Sequence, residues 1–352
     1  MRFQIRPWLL GLAVLASTLG LTPGIYGIPD FTGSTGWLNS NPLGARDLNG
    51  KVVLVDFWEY TCVNCIRTLP YLRAWYERYH SDGFVIVGVH TPEFEFSGEQ
   101  QNVEAATRRL DIHWPVVLDT NQAIWARYGN DSWPHEYLFD QDGRLVDTVS
   151  GEGDYQQTER KIQSLLLAAN SKLTLPPVMA LLPQDSYTKP GAVCYLHTPE
   201  VLLERTQIAN ADKSADRRRA SMYTDTTAKH SDGAIYLQGE WQLSGQAAVA
   251  GAVPGYLAMR YHAIQVVGVL APPKNGAARV DVTQDGAPLP KSDAGDDIHY
   301  DSAGMSYVTV DASRAYDLVM NAKMAFHDLR LTPAGPGVGV FSFAFESCEV
   351  PA

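Results

Sequence analysis

The sequence predicts two domains of different class: an α/β domain with a mixed sheet flanked by helices, then an all-β sandwich. Three observations predict this. The apolar, β-branched run Val52-Val53-Leu54-Val55 reads as a buried strand and leads directly into a helix whose start carries Cys62 and Cys65. Strand and helix patterns then alternate to about residue 170. From Gly191 onward, short strands with turn punctuation dominate. At 352 residues the chain is long for one core and comfortable for two. The net charge of −11 argues against nucleic acid as a partner, because phosphate binding needs a basic surface.

In chain order, residues 1–24 read as a secretory signal or an uncleaved N-terminal anchor. Arg2 and Arg6 precede an apolar run, Trp8 to Leu21, of h-region length, and no clean cleavage site follows. Residues 25–50 form a loose lead-in with short strands, opening a first domain expected over 25–170. The cysteine helix is expected over Cys62–His80 and a second buried strand over Phe84–His90, giving a parallel pair with a right-handed crossover. Gln101–Leu110 is amphipathic, and Pro115–Asp119 is a short strand. Asn121 is the expected N-cap of a helix over Gln122–Tyr128. Glu136–Asp140 and Leu145–Ser150 make a hairpin, and Tyr155–Ala169 is the last helix.

Residues 171–190 are proline-punctuated and read as a linker to a second domain over 191–352. Among its expected strands are Ala234–Leu237 and Trp241–Ser244, Ala258–Val269, Tyr316–Met320 and His327–Thr332, and Val338–Phe345. Cys194 lies in the first of its strands and Cys348 just after the last. A structural disulfide between them suits an oxidising compartment, and two unpaired buried thiols are the alternative.

The chemistry is concentrated at Cys62-Val63-Asn64-Cys65. A spacing of three is about one helical turn, so both sulfurs lie on one face, within reach of a disulfide. The positive end of the helix and its unpaired N–H groups favour a thiolate. Half a zinc site looks the same, but neither Cys194 nor Cys348 supplies a second Cys-x-x-Cys, and Ile66 stands where a haem-attachment motif needs His. No metal or cofactor is expected.

Asp56, Phe57, Trp58, Cys62, Cys65 and Pro70 resemble the strand acid, Phe-Trp pair, redox cysteines and helix proline of the thioredoxin superfamily. The string FWEYTCVNCIRTLPYL, with GVHTPEF downstream, resembles the TlpA-like redoxin domain of the DipZ group, whose members are extracytoplasmic thiol–disulfide proteins. The resemblance implies a thioredoxin-like fold with a βα insert around residues 84–120. It also implies a carbohydrate-binding-module-like jelly roll over roughly 190–350.

On that resemblance, Cys62 exchanges disulfides with protein partners and Cys65 resolves the mixed disulfide. Pro134 would be the cis-proline facing the cysteine pair, against the ordinary trans alternative. Trp133 either narrows the site or only packs, and Trp58 is a further neighbour. A buried Asp56 suits a base for the Cys65 proton, the alternative being a polar group hydrogen-bonded to backbone. Glu93 is either a second acid at the site or a plain surface acid. Glu59, Tyr60 and Thr61 are expected to shape the surface before Cys62.

DipZ proteins carry a CcdA-like membrane domain in the same chain. This sequence has at most one N-terminal span, so a reductase role would need a separate CcdA-like electron donor. Trp241, Tyr236, Tyr261 and Tyr300 are sugar-stacking candidates by type, although sandwich cores hold such residues too. The rival function is a cell-envelope glycan-binding protein whose redox domain is an adaptor or sensor. A thiol peroxidase is weaker, because the Pro-x-x-x-Thr-x-x-Cys context is absent.

Overall fold

The computed structural model describes residues 27–28, 30–185, 192–206, 208–211 and 219–349. The expected signal or anchor, residues 1–24, lies outside them, as does the end of the expected linker. The first domain runs β1 (Gly36–Leu38), α1 (Ala45–Leu48), β2 (Val52–Trp58), α2 (Val63–Tyr79), β3 (Phe84–His90), α3 (Gln100–Arg109), β4 (Val116–Leu118), α4 (Ala123–Tyr128), β5 (His135–Phe139), β6 (Leu145–Ser150) and α5 (Tyr155–Ala169). Its sheet has the order β1-β4-β3-β2-β5-β6. The β2–β3 and β3–β4 pairs are parallel, and the rest are antiparallel.

Strand parity divides β2 between two cores. Val53, Val55 and Phe57 pack with Val87, Ile124 and Phe139 on one face. Leu54 and Trp58 pack with Leu69, Leu72, Trp75 and Ile162 on the other. Asp56 shares the parity of Leu54 and Trp58, so it points toward α2 and its cysteines.

The helix over Ala123–Tyr128 is not capped by Asn121. Its boundary residue is Gln122, in a left-handed conformation (φ 58°) and making no side-chain cap. The Asp119 carboxylate instead accepts the N–H groups of Ile124 and Trp125, at 2.9 and 2.8 Å. A carboxylate at the end of the preceding strand thus satisfies the orphan donors.

Residues 173–185 lie across α2 and α5. Leu173, Leu175, Met179, Leu181 and Leu182 pack against the α2-side core. The Met179 N–H donates to Glu159 at 2.7 Å, and the Tyr71 hydroxyl donates to Asp185 at 2.7 Å.

The second region is an antiparallel assembly of eleven strands plus a two-stranded pair, around one buried core. Two pairs of expected strands are each continuous: Ile235–Leu243 and Arg314–Pro333. The other long strand, Tyr256–Ala271, pairs with Arg314–Pro333 along most of its length. On its opposite edge, residues 256–259 pair with Ile235–Leu243 and residues 265–271 with Gly339–Glu346. A register shift between Ala263 and Gln265 lies near this change of partner.

The small strands Val193–Cys194 and Cys348–Glu349 pair with each other, and Cys194 and Cys348 form a disulfide. It fastens the two ends of the domain together. Of the sugar-stacking candidates, Trp241, Tyr236 and Tyr261 are buried in the core, and Tyr300 packs against it with its hydroxyl donating to the Leu289 carbonyl.

Candidate active site

Residue Cys62 is the N-cap of α2. Its sulfur accepts the Cys65 N–H at 3.2 Å, and its carbonyl accepts the Ile66 N–H at 3.1 Å. The two cysteines are free thiols, Cys62 half-buried and Cys65 fully buried. Cys65 packs in the same cluster as Trp58, Leu69 and Leu72. Burial, followed by its contact with Cys62, pushes the Cys65 thiol well above its ordinary range. The geometry distinguishes an accessible sulfur from a sealed, protonated one a turn further in.

Beneath them, Asp56 is 1% exposed, and among the described residues neither carboxyl oxygen has a hydrogen-bond partner. Burial raises its pKa to about 7. It is not a polar group tied down by backbone donors. A carboxyl poised near neutrality and facing a protonated thiol is equipped to take that proton.

The loop before Cys62 is not a surface feature. Glu59, Tyr60 and Thr61 are all buried. The Glu59 carboxylate accepts the Thr61 N–H at 2.6 Å and also the Thr61 hydroxyl, which fixes the approach to the helix start. His90 Nε2 stands 3.8 Å from Glu59, and burial depresses the imidazole to about 3, so it is neutral. The signal missed in the sequence is position: these residues follow the core strand directly and inherit its burial.

The Trp133–Pro134 peptide is cis. Trp133 rests on Trp125, with ring centroids 4.4 Å apart, and also lines the cleft into which Cys62 opens, so it both packs and narrows the site. Glu93 lines the same cleft. Its carboxyl is raised to about 8, first by burial and then by Glu200. Trp58 lies below the site, edge-on to His90 at 5.1 Å.

The sequence gives no hint of the cleft's other wall. Cys62, Trp133 and Glu93 face the second domain across a cavity of about 330 Å³. That wall includes Val267 and Val269, paired across the strands with Ala344 and Ser342, together with Glu346, His197 and Glu200. Arg67, on α2 beyond Cys65, reaches over to fasten it. Its guanidinium donates to Glu346 at 2.7 Å, Gln265 at 2.6 Å and Glu152 at 3.3 Å. A second junction lies on the Glu93 side. Phe94 and Phe96 pack edge-on against Phe341, and Gln246 bonds the backbones of Glu93 and Glu95. The redox pair therefore opens between two fixed junctions.

Residues 26–166 match the Redoxin family model, and residues 198–345 match the Thioredoxin like C-terminal domain. Protein DipZ of Mycobacterium tuberculosis is 32% identical over 320 residues, covering 90% of this chain. The chain spans 42% of the length of that relative. SUPPRESSOR OF QUENCHING 1 of Arabidopsis thaliana is 34% identical over 149 residues, 42% of this chain and 14% of that one. Thiol-disulfide oxidoreductase ResA of Bacillus cereus is 28% identical over 128 residues, 36% of this chain and 71% of that one.

Proposed function

Because the chain belongs to the thioredoxin superfamily as a TlpA- and DipZ-like member, and presents an accessible Cys62 over a sealed Cys65, we propose that it is a protein thiol–disulfide oxidoreductase working in the reducing direction. The carrying observation is the asymmetry of the two sulfurs. Cys62 opens into the cleft with its sulfur on the Cys65 N–H, and Cys65 sits beside an unpartnered carboxyl. Cys62 attacks the partner's disulfide, a mixed disulfide forms, and Cys65 displaces the partner's sulfur.

Burial holds Cys65 as a thiol and the Asp56 charge opposes its ionisation, which fits the resolving sulfur and not the attacking one. The reducing direction is the part of the reading that the reduction potential tests.

The chain works outside the cytoplasmic membrane. Two features support this: the apolar run Trp8–Leu21 behind Arg2 and Arg6, and a structural disulfide of the kind that persists in oxidising compartments. Among the described residues, no helix is long and apolar enough to cross a membrane. Electrons come from a CcdA-like membrane donor and pass to disulfides in protein partners. Glycan recognition has less support, since three of the four aromatic candidates are core residues.

The two-walled cleft selects the form of the substrate. A cavity of about 330 Å³ closed on one side by Val267, Val269 and Ala344 admits an extended cysteine-bearing segment better than the convex face of a folded protein. The reduced protein is expected to exchange with a disulfide in an extended peptide at least about tenfold faster, about 1.4 kcal/mol, than with the same disulfide inside a compact domain. Stopped-flow exchange rates measure this. Equal rates would remove the second wall from the recognition mechanism, and no exchange with either would remove the oxidoreductase reading.

A further inference from the structure

Glu136 sits directly opposite Asp56 in the antiparallel β2–β5 ladder. Opposed residues on one sheet face hold their Cβ atoms about 5 Å apart, so two carboxyls share one buried position behind the cysteines. Glu136 is 6% exposed, against 1% for Asp56. The next strand continues the row. Glu136 pairs with Val149 and Leu138 with Asp147, which puts Asp147 on the same face, diagonal to Glu136. The Asp147 carboxylate is 2.5 Å from Lys161 of α5, where side-chain exposure reaches 20% and 32%. Acidic side chains thus step across three neighbouring strands, β2, β5 and β6, from a sealed thiol to the surface.

We propose that Glu136 and Asp147 form, with Asp56, a carboxyl relay that carries the Cys65 proton from the buried dithiol to solvent. This rests on the oxidoreductase reading above and adds to it the route by which the sealed base is reset. In the mixed disulfide, the Cys65 S–H bond breaks and its proton passes to Asp56. The thiolate electron pair forms the Cys62–Cys65 bond as the bond from Cys62 to the partner sulfur breaks, and the partner leaves as a thiolate. Asp56 then passes its proton to Glu136, and Glu136 passes it by way of Asp147 to water.

The groups facing this row are few. From α2 they are Cys62 and Cys65, and from α5 Lys161, which is held on Asp147. Glu159 of α5 is engaged by Arg78 and Tyr79 instead. On the other side, β3 places Gly88 opposite Asp56, with Trp58 and Trp114 closing the space, so among the described residues no titratable group faces it there. Burial, then the charges of Asp56 and Asp147, push the Glu136 carboxyl well above its ordinary range, as expected of acids that share a proton.

The test is stopped-flow reaction of the full-length reduced protein with the aromatic disulfide 5,5′-dithiobis(2-nitrobenzoate). Attack by Cys62 releases one thiolate. Resolution by Cys65 releases the second and is read as the slow phase, with the fast phase as internal control. Glu136→Gln is expected to slow the second phase about tenfold at pH 7 and to remove one titration step from its pH profile, because a pair becomes a single acid. Glu136→Asp is expected to restore the lost step, and Asp147→Asn, near the surface, to slow the phase less. A Glu136→Gln profile coinciding with wild type, while Asp56→Asn is slowed, would overturn the relay. Unchanged kinetics in Asp56→Asn as well would overturn Asp56 as the base. Absence of both phases in the wild type would instead overturn the oxidoreductase reading.

Discussion

Cys62→Ser is expected to lower the rate of disulfide exchange by at least about 10³-fold, and Cys65→Ser to stop turnover while leaving the first attack intact. The two outcomes differ because the sulfurs differ in access. Cys62 lines the cleft, whereas Cys65 is sealed among Trp58, Leu69 and Leu72. With Cys62 gone, no sulfur of the pair reaches a partner. With Cys65 gone, Cys62 still attacks but nothing displaces the partner, so the mixed disulfide accumulates. Intact-mass spectrometry after mixing Cys65→Ser with a disulfide peptide should show one peptide adduct on Cys62. Cys62→Ser should show none. An adduct of similar yield on Cys62→Ser would place the nucleophile elsewhere.

The second large effect concerns stability. Asp56→Asn is expected to stabilise the protein at pH 8 by about 4 kcal/mol more than it does at pH 4. Unfolded, Asp56 titrates near 3.8; folded, burial raises it to about 7. A carboxyl raised on folding binds more protons in the native state, so it costs nothing below its unfolded pKa. Its cost grows as pH rises from about 4 to about 7 and is constant above. At about 1.4 kcal/mol per pH unit, the gap from 3.8 to about 7 gives about 4 kcal/mol. An asparagine cannot ionise, so that cost disappears, and the desolvation of its amide cancels in the comparison between the two pH values. Denaturant unfolding of both proteins at pH 4 and 8 measures the difference. Parallel pH dependences would mean that Asp56 ionises as an exposed acid does.

Much of the first domain is written locally. A seven-residue strand that is buried throughout has no polar position to spare, so Asp56 within Val52–Trp58 stands out from sequence alone. The Cys194–Cys348 disulfide was legible for a similar reason, because the cysteines flank a domain whose first and last strands are neighbours. Expectations failed where the residue pattern does not signal the determining contact. The cap of α4 comes from Asp119, in the turn before the helix, and not from the adjacent Asn121. The strand breaks expected near Gly239 and Asn321–Phe326 do not end either strand: Gly239–Gln242 pair with the short strand Ala220–Tyr223, and residues 321–324 bulge between two stretches that both pair with Tyr256–Ala271. Glu136 appears unremarkable in HEYLFD; its meaning depends on the β2–β5 register, which pairs positions 80 apart in sequence. The cleft wall is less legible still, since Val267, Ala344 and Cys62 meet only after both domains have docked through Arg67 and Phe341.

The measurement that tests the central claim most directly is the reduction potential of the Cys62–Cys65 couple. The full-length protein is equilibrated in thiol–disulfide buffers, quenched in acid, alkylated, and the peptide carrying both cysteines is weighed. The account predicts a two-electron transition with a tenfold change in ratio per about 30 mV, centred near the thioredoxin value of roughly −270 mV. A midpoint near roughly −120 mV would contradict the reducing direction and make the protein an oxidant that installs disulfides. A pair that stays reduced across the whole range would contradict thiol–disulfide exchange itself.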